Sequence, residues 1–134
     1  DVVNLSLMNG TTYFDEEDYL ARERYCTTST RGDYTGSERV FVLRHPGNGV
    51  TATATLETPC DDLGLIAMRW NMQSNGCPTP ESGVDFCEFS DDPGPYEESV
   101  VLYESSATEV QWMIIVDSAL ETNEQFRLHI ECAG

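Results

Sequence analysis

The chain has 134 residues, 24 of them acidic and seven basic, a formal charge of −17, and every base is an arginine. Such a surface repels phosphates and anionic headgroups, whose binding depends on neutralisation by Lys or Arg, so nucleic acid is excluded as a partner. The length suits one domain able to bury roughly two thirds of its unfolded surface. No signal peptide or membrane span is visible, which argues against membrane insertion, and the sequence reads as a mature or excised domain.

Val2–Leu7 has the pattern of a first strand, with Asn9-Gly10 as its turn signal. Four consecutive acids follow, Asp15, Glu16, Glu17 and Asp18, and then Tyr19–Arg24, a short helical turn or an irregular loop. Thr27–Gly36 is polar and rich in turn formers. From there strands are expected at regular spacing: Glu38–Arg44, Val50–Glu57, Leu63–Trp70, Val84–Phe89, Ser99–Tyr103, Glu109–Asp117 and Glu124–Cys132. Short strands with turn chemistry between them indicate an antiparallel sandwich or barrel, all-β and single-domain.

Two patterns place these strands. In Val50–Glu57, Val50, Ala52, Ala54 and Leu56 alternate with Thr51, Thr53, Thr55 and Glu57, which fits a strand with one wet face. In the last strand Phe126, Leu128, Ile130 and Cys132 share the dry register, and Gln125, Arg127, His129 and Glu131 the wet one. Val110–Val116 is apolar on both faces after its first residues, as is Leu63–Met68, so both are expected to lie centrally.

Five cysteines, Cys26, Cys60, Cys77, Cys87 and Cys132, in a small strand-rich chain suggest disulfide staples and an oxidising compartment. Cys77 and Cys87 bracket a Pro-, Gly- and Ser-rich segment and are the natural pair by proximity. An odd count leaves one cysteine unpaired or paired elsewhere. Zinc is disfavoured, because there is no C-x-x-C and neither His45 nor His129 sits in a cysteine cluster that it could share.

The order of elements from Tyr34 to Cys132 carries a resemblance. Gly36-Ser-Glu-Arg-Val-Phe-Val-Leu43, the Val-Thr-Ala-Thr strand and Asp61-Asp-Leu-Gly-Leu-Ile66 are followed by Cys77…Cys87, Ser90-Asp-Asp92, Met113-Ile-Ile-Val-Asp117 and Phe126-Arg-Leu-His-Ile130. This resembles the bacterial pre-peptidase C-terminal domain in its cysteine-containing form. Asp62 stands where that family has Thr, and Ser118 where it has Gly. The resemblance implies a jelly-roll-like β-sandwich, disulfide-stapled, secreted or on the cell surface. It also implies a non-catalytic accessory or binding module of an exported protein, related to collagen-binding domains that take up calcium. Expected partners are an extracellular protein or polysaccharide and the parent protein's other domains.

The candidate sites follow from residue chemistry. Calcium needs six to eight oxygens from several carboxylates and carbonyls, and Asp15–Asp18 meeting Asp61 and Asp62 or Asp91 and Asp92 could supply them. Asp61, Asp62, Asp91 and Asp92 could equally cap turns. Trp70, at the end of its strand, Tyr96 beside Pro95, and Tyr103 are the candidate binding aromatics, whereas Trp112 shares a face with Val110, Ile114 and Val116 and belongs to the core. Arg31-Gly-Asp33 spells an integrin tripeptide of a kind that arises by chance. A Ser–His–Asp reading finds no serine elbow near either histidine, and a thiol enzyme finds no base. A carbohydrate-binding module, a small hydrolase and a structural domain of a surface assembly are the alternatives.

Overall fold

A computed structural model describes residues 2–6, 36–70, 87–90, 97–118 and 125–134. Eight strands run through them: β1 (Val2–Ser6), β2 (Arg39–His45), β3 (Val50–Glu57), β4 (Leu63–Arg69), β5 (Cys87–Ser90), β6 (Glu98–Glu104), β7 (Val110–Ser118) and β8 (Gln125–Ala133). They form two four-stranded sheets, ordered β1-β8-β3-β6 and β2-β7-β4-β5, with every pairing antiparallel. The expected strands are all present, with ends displaced by a residue or so. For Val84–Phe89, the part before Cys87 lies outside the described residues.

The sheets face each other across one dry layer. Ala52, Ala54 and Leu56 of β3, Val100 and Leu102 of β6, and Phe126 and Leu128 of β8 meet Leu63, Leu65 and Ala67 of β4 and Trp112, Ile114 and Val116 of β7. The alternation in β3 is realised as read, with Ala52, Ala54 and Leu56 fully buried and the threonines half-exposed. Two-residue periodicity puts each strand's apolar set on one side, and the apolar area taken from water there holds the layers together. Phe41 of β2 and Phe126 of β8 add an edge-to-face contact between the sheets, with ring centroids 6.3 Å apart at 82°.

At its centre the second sheet is dry on its other face as well, although Val40 and Val42 of β2 are exposed there. Ile66, Met68 and Trp70 from β4 and its end, with Met113 and Ile115 of β7, form a second buried cluster against which Cys87 and Phe89 pack. The central position expected of Val110–Val116 and Leu63–Met68 is therefore what the topology gives them.

The β2–β3 connection passes from one sheet to the other through His45-Pro-Gly-Asn-Gly49. Gly47, Asn48 and Gly49 all have positive φ, 71°, 56° and 76°. A Cβ on Gly47 would run into the backbone oxygens of Ser106 and Thr108, so only glycine fits there. The turn is tied to the β6–β7 connection by Asn48 N donating to Ser106 O (2.6 Å) and Gly49 N donating to Glu104 O (3.0 Å). His45 is fully buried, and both its nitrogens are engaged. Gly47 N donates to Nδ1 at 3.1 Å, which leaves the proton of the neutral ring on Nε2, 3.1 Å from Leu102 O.

Replacing His45 with Ala strips partners from two buried backbone groups at once. At about 1–3 kcal/mol for each unsatisfied group, stability should fall by roughly 2–6 kcal/mol. Denaturant unfolding should show a lower midpoint with an unchanged slope. An unmoved midpoint would show that this clamp contributes nothing.

Candidate functional site

Strand β6 is the outer strand of the first sheet and β5 that of the second, and the two lie against each other along one side of the sandwich. Some of their inward residues are polar where a core strand's would be apolar. In β6 the buried register reads Glu98, Val100, Leu102, Glu104, while Ser99, Val101 and Tyr103 are exposed. In β5, Ser90 and Glu88 pair with Leu65 and Ala67 of β4 and so take the inner-face register. Arg69, paired with Trp112 of β7, continues that register at the end of β4.

These polar groups close onto one another. The Ser90 hydroxyl donates to Glu98, which is fully buried. Towards the other end, Arg69 Nη1 lies 3.4 Å from Glu104 Oε2, with the Glu104 side chain 7% exposed. Glu104 Oε1 accepts from Ser106 N at 3.1 Å. Around this pair opens a cleft of about 370 Å³, walled by Arg69, Glu88, Tyr103, Glu104, Ser105 and Trp112. The Trp112 indole, 4% exposed, brings a buried N–H that has no hydrogen-bond partner among the described residues. Orphaned buried donors are rare in folded proteins, and each calls for a physical reason.

The sequence-derived candidates fare differently. Tyr103 is 63% exposed and lines the cleft. Trp112 is core, as its register required. Trp70, expected at the surface, is buried instead, because it extends the outer register of Ile66 and Met68 one step past β4 and packs with them. Asp61 is half-buried and Asp62 exposed in the β3–β4 connection, where Thr58 Oγ1 donates to Asp61 O at 2.6 Å. Among the described residues no group of three or more His, Cys, Asp or Glu could hold a metal ion. Asp15, Glu16, Glu17, Asp18, Asp91, Asp92 and Tyr96 lie outside the described residues, as does Arg31-Gly-Asp33.

The cysteines need correction. Cys60 and Cys132 are both free and exposed, so at least two of the five are unpaired rather than one. Cys132 was expected on the dry side of β8, but it is exposed although it still pairs with Ala52 of β3. Cys87 is disulfide-bonded, while Cys26 and Cys77 lie outside the described residues.

Four acids escaped the sequence reading. Glu38, Glu98, Glu104 and Asp117 are buried, at 5% exposure or less. For Glu98 and Glu104 the signal was present, since each stands two residues from Val100 or Leu102 in a strict alternation. No family model matches this chain, and a search of curated proteins finds no relative.

Arg69→Met and Glu104→Gln, singly and together, form a double-mutant cycle for the cleft's ion pair. One partner is half-exposed and the other buried, so the coupling should be about 1–2 kcal/mol, above that of exposed pairs. Zero coupling would mean that Ser106 alone serves the carboxylate.

Proposed function

We propose that this chain is a non-catalytic module of an exported bacterial protein, secreted or displayed on the cell surface, that works by contact through its outer surface and its edge cleft. The observation carrying this reading is the strand order, β1-β8-β3-β6 against β2-β7-β4-β5. Eight antiparallel strands shared in this way between two sheets support a jelly-roll connectivity, the architecture implied by the resemblance to pre-peptidase C-terminal domains. The disulfide at Cys87 supports an oxidising compartment, with Cys77 as its proposed partner. The fate of the histidines supports a non-catalytic role: both nitrogens of His45 are bound by backbone, and His129 is on the wet register of β8 with Nε2 3.6 Å from Glu131. A general base needs a nitrogen free to face a substrate. The parent protein's other domains and an extracellular protein or polysaccharide are the partners in this reading.

Calcium belongs to the same proposal, held by the acidic run Asp15–Asp18. Its support is the resemblance and a charge of −17, whose self-repulsion a divalent cation would offset.

The test joins the domain to a fluorescent reporter and measures its retention on envelopes and matrix fractions of candidate source bacteria, alongside a broad hydrolase screen. Retention above the reporter alone, with no turnover, is the expected result, and turnover with no retention would overturn the reading. Calcium at a hundred times its dissociation constant should stabilise the fold by about 2.7 kcal/mol. An unmoved melting midpoint at millimolar calcium removes the metal from the proposal.

A further inference from the structure

We infer that the cleft between β5 and β6 is a recognition site for a neutral, hydroxyl-rich ligand, a saccharide. This deepens the binding-module reading above and rests on it. The cleft offers acceptors and a donor side by side, the carboxylates of Glu88 and Glu104 and the guanidinium of Arg69, with the Trp112 side chain in its wall. A sugar hydroxyl both donates and accepts, so adjacent hydroxyls answer such a mixed lining, whereas a simple cation meets Arg69 and an anion meets two carboxylates and a chain of charge −17. The exposed ring of Tyr103 provides a flat apolar surface at the mouth, suited to the C–H face of a pyranose. The volume of about 370 Å³ falls at the small end of ligand sites, right for a sugar ring or two and too small for a folded partner's surface. The buried N–H of Trp112 also has no acceptor among the described residues, and a tilt of the indole toward the cleft would bring it to a ligand hydroxyl.

The test titrates the full chain with soluble neutral oligosaccharides of hexose and N-acetylhexosamine, followed by calorimetry and tryptophan emission. Co-sedimentation with insoluble polysaccharides runs in parallel and separates free sugar from polymer as the source. At least one neutral saccharide should bind saturably and shift the emission. Glu88 and Tyr103 are both exposed, so Glu88→Ala and Tyr103→Ala should fold normally, and each should weaken binding by roughly tenfold or more. Trp112→Phe, its folding checked by denaturation, should weaken binding too, because it removes the N–H while keeping an aromatic ring. Preference for uronic or sulfated saccharides, binding untouched by both Glu88→Ala and Tyr103→Ala, or no neutral saccharide bound at all would each overturn the inference. Binding untouched by those substitutions leaves the module reading intact with its site elsewhere. Where no saccharide binds, retention of the reporter fusion on its surface target shows that only this inference has failed.

Discussion

A strand that is dry on both faces can lie only where something covers each of them, and β7 is that strand here. From Trp112 to Ser118 every residue is buried, with Trp112, Ile114 and Val116 turned to the first sheet and Met113 and Ile115 turned away from it. Its place between β2 and β4 follows, because a central strand pairs on both edges and leaves no apolar surface to water. The first sheet needs only one dry face and is built accordingly, with threonines on the far side of β3. The sandwich is thus asymmetric: the central strands β4 and β7 of the second sheet are buried on both faces, its outer strand β2 exposes Val40 and Val42, and the first sheet is half-wet. The asymmetry is set by which strands lack polar alternation.

The heavy acid content is handled in two ways. Most of the described acids remain at the surface, some beside a cation, as with Glu57 at 3.6 Å from Arg127. Those taken inside are given donors. Glu98 accepts from Ser90, Glu104 from Arg69 and Ser106, and Asp117 from the Ser118 amide at 2.7 Å. A buried carboxylate without such partners would neutralise or destabilise the fold, so these donors are what allow a chain of this charge to keep acids in its interior. The two sheets are joined by polar contacts as well as by the core, since His45 at the end of β2 holds the carbonyl of Leu102 in β6.

Strand existence and order of burial were legible in the sequence because period two is a local property that each segment displays by itself. Val50–Glu57 could be read to the residue, and the coverage of Val110–Val116 on both faces could be read from the run alone. What failed were statements that depend on where a register stops. Trp70 lies one residue past β4 but still inside its outer row, and Cys132 pairs with β3 beyond the end of the β1 pairing and is exposed. The cleft was illegible for a related reason. Arg69, Glu88, Glu104 and Trp112 come from four strands, and only pairing across two sheets brings them together. Of its lining, only Tyr103 stood out beforehand as an aromatic at the end of an alternating strand.

The position of the cleft follows from the need to protect open edges. Among the described residues β5 and β6 end their sheets, so each carries a row of backbone groups with no neighbouring strand among them, and β6 also exposes Val101 and Tyr103. Inward-pointing charge is one way that proteins discourage such edges from pairing with another chain, and Glu88, Glu98 and Glu104 take this place here. Once carboxylates stand between two sheets, the sheets cannot close there as they do over Leu56 and Ile114, because closing would strip water from charge. A gap remains, polar on its floor and aromatic at its mouth. Arg69 offsets the charge of Glu104 and leaves Glu88 to face the opening. Protection of the edge has thus left a small cavity walled by the exposed carboxylate of Glu88, the Arg69–Glu104 ion pair and the Trp112 and Tyr103 side chains.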